Sequence, residues 1–172
     1  MTTATDLPAR PALAASARLA AAILPVAVTA YLGSVSTQEN IPTWYEGLSK
    51  PSFNPPNWVF PVAWTILYTM IAVALWRLLG AMPQTGPSRW GWWLALVVFL
   101  VQIALNAAWS PVFFTAHAIG TALVVVVALL VMVLWTIRLT ARFDALAAWL
   151  LVPYAAWVAF ATILNAAILR LN

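Results

Sequence analysis

Five long apolar runs dominate this chain, at about residues 14–35, 58–79, 90–114, 119–139 and 145–171. Each is close to the roughly 20 residues that a helix needs to cross a bilayer. Backbone inside hydrocarbon must satisfy its own hydrogen bonds, so a spanning run is a helix. A membrane barrel would show shorter segments of alternating polarity, and these runs do not alternate. Only 7% of the 172 residues are charged, against about 25% in an ordinary globular domain. So few charges cannot cover a water-facing surface, and disorder needs the opposite composition. The expected fold is all-α: an integral membrane bundle of five transmembrane helices forming one domain, 14–172, behind a flexible polar extension, 1–13.

The first run follows Arg10 and Arg18, so a cleaved leader ending near Val28-Thr29-Ala30 is one reading. The apolar stretch continues past Ala30 to about spanning length, which favours a retained span. Pro25 inside it predicts a kink. Residues 36–56 form a long polar connection holding Glu39, Glu46 and Lys50. Loops of this length are usually functional or disordered, and the Pro and aromatic content here favours an ordered cover. With the N-terminus inside, Arg10, Arg18, Arg77, Arg89, Arg138 and Arg142 face inward, and only Lys50 and Arg170 face outward. This bias predicts N-terminus in and C-terminus out, in an inner membrane by preference, with an outer membrane the alternative. The net charge of +4 therefore reads as membrane orientation and not as nucleic-acid binding. Five spans do not divide into two inverted halves.

Little in the chain supports conventional catalysis. Cys is absent, which removes thiolate chemistry and disulfides. The carboxylates are Asp6, Glu39, Glu46 and Asp144, none in mid-run, which argues against a proton-driven antiporter. Asp144 reads as a helix N-cap. His117, the lone histidine, reads as a polar loop residue in preference to an axial haem ligand. No catalytic residue and no metal site is expected.

Eleven tryptophans are the unusual feature. Trp58, Trp76, Trp90, Trp92, Trp93, Trp135 and Trp149 fall near helix ends, where an interfacial belt is expected. Trp64, Trp109 and Trp157 lie deeper, each on a stripe at helical spacing. Trp64 pairs with Tyr68. Gln102 and Asn106 continue to Trp109 or Ser110. Trp157 continues to Ala161 and Asn165. Polar groups in hydrocarbon need partners, so the stripes face inward. Interhelical hydrogen bonds, worth about 1 kcal/mol each, and an apolar pocket with a few placed polar groups both fit. Ala104 with Ala108, and Ala155, Ala159 and Ala161, offer small faces for close helix approach within a chain or a dimer.

The segments Trp44-Tyr45-Glu46-Gly47-Leu48-Ser49-Lys50-Pro51-Ser52-Phe53-Asn54-Pro55-Pro56 and 58–68, the run 102–114 and the run 149–165 resemble the translocator protein family. Its members are also called tryptophan-rich sensory proteins or peripheral-type benzodiazepine receptors. The likeness runs in order over about residues 20–172. It implies a five-helix bundle, often a homodimer, that binds porphyrins such as protoporphyrin IX, sterols and synthetic ligands in a pocket under the first long loop. Carried over residue by residue, it implies ligand-binding roles for Trp64, Asn106, Trp109, Trp157 and Ala161, with Tyr45 and Pro55 closing over the pocket. Tyr68 and Asn165 join them from the stripes. The family's usual tryptophan after Lys-Pro-x is Phe53 here, and Ala166 stands where a C-terminal sterol motif wants tyrosine, a weak motif even when complete. A porphyrin, protoporphyrin IX or haem-like, is thus the better ligand expectation than a sterol. The chain reads as a membrane receptor or sensor, with promotion of light-dependent porphyrin breakdown as a further expected property and a porphyrin or lipid transporter as the rival. No cofactor is required, and membrane lipid is the other expected partner.

Overall fold

A computed structural model describes residues 15–83 and 85–172; the extension 1–13, with Asp6 and Arg10, and the start of the first run at Ala14 lie outside them. The described residues form helices α1 (Ala15–Gln38), α2 (Val59–Gly80), α3 (Ser88–Ser110), α4 (Ile119–Thr140), α5 (Ala145–Leu150) and α6 (Val152–Leu171). There is no strand among them. With α5 and α6 counted as one span, five helical spans are long and apolar enough to cross a membrane, as the sequence predicts.

Local chemistry sets the boundaries. α1 is unbroken at Pro25 and runs past Val35. Ser36 donates to the Leu32 carbonyl and Thr37 to that of Gly33, at 2.8 and 2.9 Å, so these hydroxyls are satisfied without leaving the helix. Leu151 interrupts the last span, and Pro153 then sits in the first turn of α6, where its missing N–H costs nothing. Asp144 caps α5, accepting from the Ala147 amide at 2.8 Å.

Neighbour relations close a ring: α1 packs on α2 and α3, α3 on α4, α4 on α6, and α2 on α5. Two ends follow. At one, Arg77 pairs with Asp144 at 2.9 Å, and Arg18 lies 4.7 Å from the Trp76 ring centre. Trp92, predicted as a surface belt residue, is instead buried there. Its indole donates to the Leu78 carbonyl at 2.8 Å, in the last turn of α2, where carbonyls lack the usual donor four residues on. Among the described residues this carbonyl otherwise accepts only from the Ala81 amide, at 3.1 Å. Above this end Ile71, Leu75, Phe99, Val133 and Val158 form the solid core. Outward-facing Leu24, Val124 and Ile163 are more than half exposed, as suits a surface solvated by acyl chains. At the other end α2 barely touches α6, and the space between them is not filled.

Candidate ligand-binding cavity

A cavity of about 540 Å³ occupies that end of the bundle, within the usual range of small-molecule sites. Its roof is the connection between α1 and α2, which is ordered, as its composition predicts. Ile41–Tyr45 forms a single π-type turn, with the Tyr45 and Glu46 amides bonded five residues back to Asn40 and Ile41 at 2.8 and 3.1 Å. A second such turn, Pro111–Thr115, extends α3. Pro42 lies in the first positions of its turn, where a proline removes no needed donor. Pro111, which cannot make the α-type bond to the residue four back, marks where α3 gives way to the second turn. The turns pack on each other: Trp44 edges Phe113 at 5.6 Å and Tyr45 tilts on Phe114 at 5.6 Å.

Side chains around the loop pin the roof. Trp44 stacks on the His117 ring at 4.2 Å, and the His117 Nε2 meets Asn40 Oδ1 at 3.1 Å. His117 reaches this place from a left-handed backbone, φ 53°, which is uncommon outside glycine. The Asn172 side chain both accepts from and donates to the Ser49 backbone, each at 3.0 Å. Tyr45 donates its hydroxyl to Asn54 Oδ1 at 2.9 Å. Burial pushes the Tyr45 phenol up, and the Asn54 bond offsets this only in part.

The walls are aromatic. Trp64 stacks on Tyr68 at 5.0 Å and meets Trp157 edge-on at 6.4 Å. Trp157 also meets Phe60 and Phe160, at 6.0 and 5.6 Å. Trp109 stacks on Phe113 at 5.3 Å. Among the described residues, none that lines the cavity carries a formal charge. Ser34 and Gln38 of α1 and Pro61 and Thr65 of α2 line the cavity and are exposed as well, so it opens on the flank of the bundle between α1 and α2.

Most of the expected site residues converge. Trp64, Tyr68, Trp109, Trp157 and Ala161 line the walls, and Tyr45 lines the roof. Asn165 also reaches the wall, but its amide is engaged, accepting from the Trp109 indole at 3.2 Å and donating to the Ile119 carbonyl at 3.0 Å. It positions Trp109. Two expectations are corrected. Asn106 does not line the cavity: it is buried, and its amide donates to the Tyr154 hydroxyl at 2.8 Å, which in turn donates to Gln102 Oε1 at 3.1 Å. Pro55 lines a neighbouring groove instead. The third-helix stripe thus splits, its deeper part bonding helices together and its end facing the cavity.

The sequence reading missed the α1 wall: Ala30, Gly33, Ser34 and Thr37. Their spacing of three and four was the available signal. Gly33 matters most, since a Cβ there would lie 3.5 Å from Ser110 Oγ and 3.9 Å from the Tyr68 hydroxyl. Neither hydroxyl has a hydrogen-bond partner among the described residues, so both are available to a guest.

A family model described as the TspO/MBR family matches residues 21–171. The chain belongs to the TspO/MBR family. It is similar to Tryptophan-rich protein TspO of Chlorobaculum tepidum, 40% identical over 142 residues, covering 83% of this chain and 87% of that one. Tryptophan-rich sensory protein of Cereibacter sphaeroides is 40% identical over 129 residues, 75% of this chain and 77% of that one. Human Translocator protein is 37% identical over 132 residues, covering 75% of each chain. Membership of the TspO/MBR family and the five spans make this an integral, multi-pass membrane protein.

Proposed function

We propose that this protein is a membrane receptor or sensor that binds tetrapyrroles of the protoporphyrin IX type, with related hydrophobic ligands, in the roofed cavity. One observation carries the reading: indoles from three separate spans, Trp64, Trp109 and Trp157, line one uncharged space. A flat macrocycle suits walls that offer ring faces and edges. The Tyr68 and Ser110 hydroxyls add hydrogen-bonding points near its periphery. The arginine bias supports an arrangement in which the cavity end faces outward from an inner membrane. Ala104 and Ala108 lie exposed on α3, a small-residue face on which a second copy would pack as a homodimer.

The same contact supports light-dependent porphyrin breakdown. An excited porphyrin against electron-rich indoles accepts one electron, leaving an indole radical cation and a porphyrin radical anion, and dissolved dioxygen is the oxidant that would then consume the macrocycle. With Trp64 and Trp157 replaced by Phe, decay of the porphyrin Soret band under light should slow severalfold while dark binding persists. Unchanged decay removes these indoles from the process.

The opening between α1 and α2 favours a second reading, in which a porphyrin or lipid enters from the bilayer and is passed on. Reconstituted vesicles separate the two. Accumulation inside, beyond the binding capacity of the protein, supports transport; uptake that stops at that capacity supports a receptor.

A further inference from the structure

We propose that the groove beside the roof is a carboxylate subsite, with the Lys50 ammonium reading an acidic arm of a ligand whose apolar body fills the cavity. This rests on the tetrapyrrole-type reading above and adds a charge requirement to it. The cavity itself has no charged lining residue among the described residues, so an acidic guest is best served by placing its carboxylates elsewhere. The groove shares Ile41, Pro42, Tyr45 and Asn57 with the cavity, so one molecule can reach both. Lys50 lines it. Its Nζ is held in place by donating to the carbonyls of Glu46 and Leu48, at 3.0 and 3.1 Å. It lies 4.8 Å from the centre of the Tyr45 ring, the ring that walls both spaces.

An ammonium has three donors, and two are used here. No carboxylate pairs with Lys50 among the described residues; their ion pair, Arg77 with Asp144, is at the other end of the bundle. The remaining donor and the full positive charge are left for a guest, and the groove residue Asn54 lies alongside. Glu46 also lines the groove. It is exposed and meets Lys50 through its backbone carbonyl, so its charge weakens but does not cancel the attraction.

The test compares protoporphyrin IX with its dimethyl ester, which keeps the ring and removes both negative charges. Binding to the purified full chain is followed by tryptophan quenching. Wild type should prefer the acid by about fivefold, the size of an exposed charge-assisted contact, and the preference should shrink with added salt. Lys50→Met should abolish it by weakening the acid alone, and Lys50→Arg should retain it. Equal binding of acid and ester by wild type overturns the subsite while leaving the cavity reading intact. An equal loss of both ligands in Lys50→Met also overturns it, because Lys50 then only pins the roof. Binding of neither ligand by wild type removes the tetrapyrrole reading, and the subsite with it.

Discussion

Asn106 and Asn165 are the same residue type on facing stripes, yet their surroundings assign them different work. Asn165 braces Trp109 against the cavity, and Asn106 closes a buried chain with Tyr154 and Gln102. Removing the Asn106 amide leaves the Tyr154 hydroxyl short of a donor, a loss of about 1 kcal/mol in a membrane bundle. Asn106→Ala should therefore melt a few degrees lower in detergent while its porphyrin affinity stays within about twofold of wild type. A large affinity loss at unchanged melting temperature would return Asn106 to the binding site. Periodicity placed both residues inward but gave no hint of what stood opposite, and that partner decides their roles. The spacing of Gly33 with Ala30 and Thr37 marked a shared face, but its use shows only once Ser110 and Tyr68 are seen across from it.

Among the elements, the spans were legible because hydrocarbon leaves the backbone one solution. Their ends were less so: the wider π-type turns depend on Trp44 and Tyr45 meeting Phe113 and Phe114, a contact between segments far apart in the chain. Asp144 was legible as a cap, but its partner Arg77, 67 residues away, was not. Burial raises the Asp144 carboxyl, and the Ala147 amide with the Arg77 guanidinium more than reverses this, leaving it below the usual carboxylate range. Its stabilising effect is thus complete above that range and is lost as pH falls through its lowered value. Asp144→Asn should melt below wild type at neutral pH, and the gap should close in acid. A gap independent of pH would show that the ionised pair contributes nothing.

For the molecule as a whole, one asymmetry matters. The arginine-bearing end is closed by Trp92, by the Arg77–Asp144 pair and by tight packing of α2 on α5. The roofed end keeps a volume of about 540 Å³ beside α2 and α6, which barely touch there. The resemblance of the loop and stripe motifs pointed to a pocket there; its flank opening and its uncharged walls needed three dimensions. Gly33→Leu places a branched side chain into that volume from α1, and overpacking of about 1–3 kcal/mol should cost a guest about tenfold or more in affinity. The decisive measurement is a protoporphyrin IX titration of wild type and Gly33→Leu, read by tryptophan fluorescence, with circular dichroism to verify that both are folded. Saturable quenching in wild type and its loss in folded Gly33→Leu is the expected result. Quenching that never saturates, or that is the same in both proteins, would contradict a guest held in the cavity.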